Sequence, residues 1–283
     1  MRRPHLEFRR PPLRELFDRH EGRLVHKVDH YFPIYERHLS RFRGTKPRVL
    51  EIGVAQGGSL ELWHQYFGRG TETIGLDIEP RSASLAGRRR KIYVGDQGDP
   101  QFLERVAVEC GPFDVVIDDG SHMPAHQILA LEFFWEHLSP NGVLLVEDLC
   151  TNYWPTNYGG GYGLPHTFME RIKPMVDDLN AFNSREDHFR ASHWTSTVTG
   201  MHVYDSVVVF ERGEHRPLTT SMAGRPSFDT VNGQPVDQAI PADHQARIAA
   251  MSTPAAKAKR AVRHPSAALR TLRRQVARHL PGR

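Results

Sequence analysis

Phe113-Asp114-Val115-Val116-Ile117-Asp118-Asp119-Gly120-Ser121-His122 is an apolar run that ends in two carboxylates, a glycine and a histidine. Gly142-Val143-Leu144-Leu145-Val146-Glu147-Asp148 repeats the arrangement twenty-odd residues on. Unbroken Val/Ile/Leu runs of this length read as strands buried on both faces, as in a parallel sheet. Open parallel sheets bind ligands in the crevice beyond the carboxyl ends of their strands. Two acidic clusters, each closing such a strand, are therefore expected in one crevice. Carboxylate oxygens suit a hard divalent cation such as Mg²⁺ or Mn²⁺.

The rhythm extends in both directions. Upstream, Arg48–Gly53 reads as strand one and Ser59–Phe67 as a helix with Leu60, Leu62, Trp63, Tyr66 and Phe67 on its apolar face. Glu72–Asp77 and Lys91–Gly95 read as strands two and three. Asp99 and Pro100 open a helix over 100–109, as N-cap and first helical residue. Val115–Asp118 is strand four, Ala125–His137 a helix, Pro140-Asn141-Gly142 a turn and Val143–Glu147 strand five. Strands alternating with helices imply right-handed crossovers. Downstream, residues 149–166 read as a long Gly/Tyr-rich loop and Thr167–Asn180 as a helix. Val198 to Glu211 reads as two strands joined at Tyr204-Asp205-Ser206. The fold expected is α/β: a Rossmann-like, doubly wound, mostly parallel seven-stranded sheet with an antiparallel C-terminal strand.

The 283 residues suffice for one large α/β domain with a sizeable core. The expected division is 1–43, a basic segment and lid helix; 44–215, the sheet domain; and 216–283, an extension with a basic tail. Residues 1–20 are Pro-broken and read as loosely ordered. Residues 24–42 carry Tyr31, Ile34, Tyr35 and His38 at helical spacing, as either a packing helix or a lid. The net charge of +4 is unevenly placed: from Gln245 to Arg283 there is no Asp or Glu, and Pro254, Pro265 and Pro281 interrupt the stretch. It reads as a solvated tail with fragments of helix, or as a peripheral contact for an anionic membrane. No apolar run approaches the roughly 20 residues that cross a bilayer, and MRRPHLEFRRPP lacks the apolar region of a secretory signal. The two cysteines, Cys110 and Cys150, make no C-x-x-C pair. A cytoplasmic protein is expected.

Glu51-Ile52-Gly53-Val54-Ala55-Gln56-Gly57-Gly58-Ser59 lies between strand one and its helix, where glycines admit close approach of a ligand. The spacing is not the G-x-G-x-x-G of dinucleotide enzymes. An acid ends each of three successive strands: Glu51, Asp77 and Asp96. Asp77 is placed to accept ribose hydroxyls, Asp96 the adenine amine, and Glu51 to orient a cationic amino-acid group. Such a pocket disfavours polyphosphate and favours a cationic nucleoside, for which S-adenosylmethionine is the obvious choice. Asp118 and Asp119 alternate in direction, so one faces the metal; Asp119, further from the strand, is preferred. His122, three residues on, can reach a metal-held hydroxyl as general base. Tyr153, Trp154, Tyr158 and Tyr162 offer stacking surfaces for a sugar ring, or simply anchor their loop.

The motifs E-I-G-V-x-x-G-G-S-L, L-D-I, G-D-Q, I-D-D-G-S-H and V-E-D resemble those of class I S-adenosylmethionine-dependent methyltransferases. They look closest to the metal-dependent branch that methylates sugar hydroxyls. That branch includes the macrolide-sugar O-methyltransferase of mycinamicin biosynthesis and relatives of the cephalosporin-hydroxylase-like methyltransferases. The resemblance covers roughly His26 to Arg212. It implies Asp119, Glu147 and Asp148 as metal ligands and His122 as the base. For the cofactor it implies Glu51, Gly53, Asp77, Asp96 and Gln97, beside which Gly57, Ser59 and Asp118 complete the expected set. Tyr31, Tyr153 and Trp154 are expected at the acceptor. The acceptor implied is a glycoside, oligosaccharide or polysaccharide precursor; the alternative is a phenolic or other natural-product hydroxyl, since a catechol also chelates Mg²⁺. A nucleic-acid-associated protein using the basic tail is set aside, because both acidic clusters are intact and no RNA-binding module is visible. A homo-oligomer is expected. Members with a separate N-terminal oligomerisation domain are longer than this chain, so their assembly state is not carried over.

Overall fold

The computed structural model describes residues 10–231, 233–250 and 253. The chain forms two compact units, Met1–Leu218 and Thr219–Arg283. The first opens with α1 (Leu13–Asp18), a 3-10 turn at Asp29–Tyr31 and α2 (Phe32–Leu39). Then come β1 (Arg48–Ile52), α3 (Gly58–Phe67), β2 (Glu72–Asp77), β3 (Arg90–Val94), α4 (Pro100–Cys110), β4 (Phe113–Asp118), α5 (Pro124–Glu136) and β5 (Leu138–Val146). Short helices α6 (Phe168–Ile172), α7 (Met175–Leu179) and α8 (His193–Thr197) precede β6 (Val198–Tyr204) and β7 (Val207–Arg212).

These strands make one seven-stranded sheet in the order β3-β2-β1-β4-β5-β7-β6. The pairs from β3 through β5 are parallel, and β7 runs antiparallel to both neighbours. The expected architecture is thus observed, antiparallel strand included. Chain order reverses between β1 and β4, which opens a crevice at their carboxyl ends.

Both faces of the sheet are buried, which is why its strands read as continuous apolar runs. Leu50, Val116, Leu144 and Phe210 point into one core with α4 and α5; Val49, Val115, Leu145 and Val209 point into the other, with α2 and α3. Strict alternation along each strand assigns neighbours to opposite layers.

Three local readings are corrected. Residues 13–18 form a helix, not a loose segment: Leu13 is buried, and its N–H donates to Glu36 Oε2 at 3.1 Å. The 24–42 helix is shorter, since residues 24–28 are irregular and α2 starts at Phe32. The 167–180 helix is two helices. Pro174 cannot donate a backbone hydrogen bond, and the chain breaks at Lys173-Pro174 between α6 and α7. The 149–166 loop begins as a 3-10 turn, Leu149–Tyr153. Asn152 pins it, donating to Gln127 Oε1 at 2.8 Å and accepting from the Phe168 N–H at 2.7 Å.

The second unit contains the antiparallel pair β8 (Thr230–Val231) and β9 (Gln234–Pro235), then α9 (Val236–Ala239) and α10 (Ala242–Ala250). The basic tail beyond Thr253 lies outside the described residues. Among the described residues, no helix is long and apolar enough to cross a membrane.

Candidate active site

A cleft of about 610 Å³ opens at the carboxyl ends of β1, β2, β4 and β5. Its floor is the glycine turn after β1. Gly53 has φ +86°, and a Cβ there would lie 2.0 Å from the Asp119 carbonyl oxygen. Only glycine fits this point, where the β1 and β4 loops touch. Asp77, at the end of β2, fastens the same turn: its Oδ2 accepts from the N–H groups of Val54 and Ala55, both at 2.8 Å. Its Oδ1 accepts from the Glu79 N–H at 2.9 Å. Asp96 lies exposed in the cleft wall and accepts from the Gly98 N–H at 2.7 Å. Gln97 ties two loops together, accepting from the Ser121 N–H at 2.7 Å and donating to Asp118 Oδ1 at 3.2 Å.

Not every expected cofactor residue faces the cleft. Ser59 does, and its hydroxyl donates to Glu51 Oε2 at 2.7 Å. Glu51, Gly57 and Asp118 stand behind the wall, outside the cleft lining, with both carboxylates buried. Burial pushes the carboxyls of Glu51 and Asp118 up to about 7 each.

At the other end of the cleft, Asp119, His122 and Asp148 bring one ligand atom each within 4.8 Å of one another. His122 Nε2 lies 3.5 Å from Asp148 Oδ2. His122 and Asp148 both hold left-handed backbone conformations, φ 58° and 53°. The Tyr31 hydroxyl donates to Asp148 Oδ1 at 2.7 Å. The carboxylates suit a hard divalent cation that keeps several waters, with the His122 imidazole beside it.

Glu147, expected beside Asp119 and Asp148 as a metal ligand, also lines the cleft. It is buried, accepting from the Tyr35 hydroxyl at 2.7 Å and from Lys27 Nζ at 3.0 Å. Burial pushes its carboxyl up to about 8, against the opposing pull of Lys27. Lys27 Nζ also lies 2.6 Å from Asp119 Oδ2 and 3.7 Å from Glu51 Oε1. Burial depresses the Lys27 ammonium, but Asp119 and Glu147 outweigh it, so its pKa stands well above the usual lysine value. Lys27 thus neutralises part of the carboxylate cluster from inside. Tyr35 is pushed well above its usual range by burial and then by Glu147, so it stays a donor.

Lys27 and Tyr35 are absent from the sequence-based set of site residues. A lone lysine carries no pattern, but Tyr31 and Tyr35 are four apart, one above the other as the chain enters α2, and meet adjacent carboxylates. Tyr153 and Trp154 are about half exposed and lie outside the cleft lining. Irregular residues 24–28 form part of that lining, packed on Gly58, where a Cβ would meet the Arg23 carbonyl at 2.3 Å.

Residues 50–149 match the family described as a methyltransferase domain. The chain is 35% identical over 258 residues to demethylmacrocin O-methyltransferase of Streptomyces fradiae, covering 87% of this chain and 60% of that one. It is 36% identical over 219 residues to mycinamicin VI 2''-O-methyltransferase of Micromonospora griseorubida, covering 73% and 54%. A solved methyltransferase of the mycinamycin biosynthetic pathway, in complex with Mg, SAH and mycinamycin VI, superposes with a TM-score of 0.66 at 32% identity. That match covers 82% of this chain and 60% of the solved one. The chain therefore spans a little over half the length of these relatives. With the glycine turn, the acidic strand ends and this sheet order in place, the chain carries an S-adenosylmethionine-dependent methyltransferase domain and is similar over most of its length to macrolide O-methyltransferases.

Proposed function

We propose that this protein transfers the methyl group of S-adenosylmethionine to a sugar hydroxyl of a glycosylated small molecule, with Mg²⁺ or Mn²⁺ as the metal. The observation that carries the reading is the convergence of Asp119, His122 and Asp148 in the cleft that the glycine turn also lines. Relatives at 35–36% identity are named L-olivosyl-oleandolide 3-O-methyltransferase and 8-demethyl-8-alpha-L-rhamnosyl tetracenomycin-C 2'-O-methyltransferase, which supports a glycosidic sugar as the acceptor.

S-adenosylmethionine carries its methyl on a sulfonium, so the electrophile arrives activated. A sugar hydroxyl holds its proton tightly near neutral pH, so catalysis consists of aligning it and helping that proton leave. Asp119, Glu147 and Asp148 would hold the divalent cation, which would supply Lewis-acid help in lowering the pKa of the acceptor hydroxyl. Gly53, Asp77, Asp96 and Gln97 line the cofactor end, with Ser59 and the buried Glu51 beside them. His122 takes the hydroxyl proton as the oxygen attacks the methyl carbon; the carbon–sulfur bond breaks and its electron pair returns to sulfur. Tyr31 holds Asp148 in place, and Tyr35 and Lys27 hold Glu147 beside it in the cleft lining.

The test is methyl transfer from radiolabelled S-adenosylmethionine to macrolide and aromatic-polyketide glycosides, with and without chelator. Label is expected on a sugar hydroxyl, lost with EDTA and restored by Mg²⁺ or Mn²⁺. Transfer that survives exhaustive chelation, or transfer only to phenols, would overturn the reading.

A further inference from the structure

A second group of metal-ligating side chains lies away from the cleft, where α2 packs over the β6–β7 edge of the sheet. His38 Nδ1 is 3.0 Å from Glu211 Oε1, and His202 Nε2 is 3.9 Å from Glu211 Oε2. The three ligand atoms fall within 4.8 Å of one another, and none of the three residues lines the cleft. We propose that His38, His202 and Glu211 form a second divalent-metal site, of the zinc class, that ties α2 to the sheet edge.

The donor set selects the metal. Two imidazole nitrogens with one carboxylate suit Zn²⁺, Ni²⁺ or Cu²⁺ and are poor for Mg²⁺. Zinc bonds of about 2.0–2.2 Å in tetrahedral geometry put ligand atoms roughly 3.3–3.5 Å apart. The observed separations of 3.0 and 3.9 Å bracket that value.

Two further features point to a ligand. His202 Nε2 is buried and makes no hydrogen bond among the described residues. A buried ring nitrogen without a partner is costly, and a metal bond would satisfy it. Gly200 leaves the room for this ring, because a Cβ there would meet His202 Nε2 at 3.0 Å. His38 is already held as a metal-binding histidine is held. Its Nε2 lies 2.9 Å from the Tyr204 hydroxyl, which leaves Nδ1 to face Glu211. Such an outer hydrogen bond fixes the tautomer and the ring plane of a ligating imidazole.

The surroundings permit an ion. The Glu211 side chain is 24% exposed and that of His202 39%, so one side is open for entry and for a water as fourth ligand. Arg41 approaches Glu211 Oε1 at 3.6 Å while donating to the Asn141 carbonyl at 3.2 Å, and Oε2 faces His202 instead. The consequence reaches the cleft through α2, the helix that carries Tyr35 and follows directly on Tyr31.

Equilibrium dialysis of the whole protein against Zn²⁺ in excess Mg²⁺ tests the site, since Mg²⁺ occupies oxygen-rich positions. Wild type is expected to retain one zinc per chain and to gain thermal stability from it. His202→Ala and Glu211→Gln should retain none, Tyr204→Phe should bind about 10–100-fold more weakly, and Asp148→Asn should retain its zinc. Co²⁺ bound in place of zinc should give visible absorption bands that His202→Ala lacks. Failure of wild type to hold zinc, or equal binding by His202→Ala and Glu211→Gln, would overturn the proposal and leave His38 and Glu211 an ordinary buried pair. Loss of zinc in Asp148→Asn alone would place the ion in the cleft instead, so this outcome is separable from any failure of the proposed methyl transfer.

Discussion

The Tyr31 hydroxyl donates to Asp148 Oδ1 at 2.7 Å across 117 residues of sequence, and the Asp148 N–H lies 3.3 Å from the same hydroxyl. A tyrosine at the start of α2 thus fixes a carboxylate whose backbone is already in the left-handed region. Tyr31, expected at the acceptor, lines the cleft with its hydroxyl engaged by Asp148.

Tyr31→Phe should leave S-adenosylmethionine affinity unchanged while raising the Mg²⁺ concentration for half-maximal methyl transfer. Removing an outer-shell partner costs about 10–100-fold in metal affinity or activity. Metal titrations of the rate, with calorimetry of cofactor binding beside them, separate the two effects. An unchanged metal requirement would show that Asp148 needs no such support.

Lys27→Met should lower the free energy of unfolding by about 3–5 kcal/mol, the usual cost of leaving a buried charge without its partner. Lys27 is buried with Nζ against Asp119, Glu147 and Glu51, so its loss strands several carboxylates at once. Adding Glu147→Gln to the Lys27→Met variant should recover part of the loss. Urea unfolding of the single and double variants checks this, and strict additivity would argue that the pair does not interact.

The legible parts of the molecule were those with a local cause. Val/Ile/Leu runs marked β1, β4 and β5, because burial on both faces favours apolar residues at successive positions. Asp99-Pro100 marked the start of α4, and the Asp99 side chain does accept from the Gln101 N–H. Gly53 was legible because the close approach to Asp119 permits no side chain. The cluster around Lys27 was not, since its partners lie 92 and 120 residues away and no spacing rule connects them. The direction in which Glu147 and Asp148 point was hidden for another reason. It follows from a positive φ at Asp148, a conformation that a non-glycine residue adopts only when its surroundings hold it there. Residues 24–28, which line the cleft, carry no pattern that marks them in the sequence, whereas the aromatic Tyr153 and Trp154 stand out there and lie outside that lining.

His122→Ala should reduce kcat by about 10²–10⁴-fold, the range for losing a general base, with little change in cofactor affinity. Its imidazole lies 3.5 Å from Asp148 and in the cleft, whereas its backbone carbonyl is tied down by the Thr151 hydroxyl at 2.8 Å. The loop should therefore keep its shape when the ring is removed. Single-turnover rates at saturating cofactor and Mg²⁺ isolate the chemical step. Equal rates in wild type and variant would assign the proton to another group.

Asp118→Asn should alter stability only where pH is high enough to matter. The Asp118 carboxyl is buried, its Oδ1 accepts from Gln97 Nε2 at 3.2 Å, and its Oδ2 has no hydrogen-bond partner among the described residues. Burial raises its pKa to about 7 in the folded protein, against about 3.9 for an unfolded aspartate. Below about pH 4 the group is protonated in both states and contributes no pH dependence. Between about pH 4 and 7 the folded state keeps a proton that the unfolded state has lost, so rising pH favours unfolding. Above about pH 7 both states are ionised and the effect is complete. An asparagine keeps the shape and the Oδ1 acceptor without the charge. Its advantage over wild type should grow from near zero at about pH 4 to a few kcal/mol at about pH 8, because each tenfold change in the protonation equilibrium is worth about 1.4 kcal/mol. Chemical unfolding of both proteins across this range, with chelator present throughout, measures the difference. A difference that stays constant with pH would mean that Asp118 titrates like an exposed aspartate and is not held neutral by the wall of the cleft.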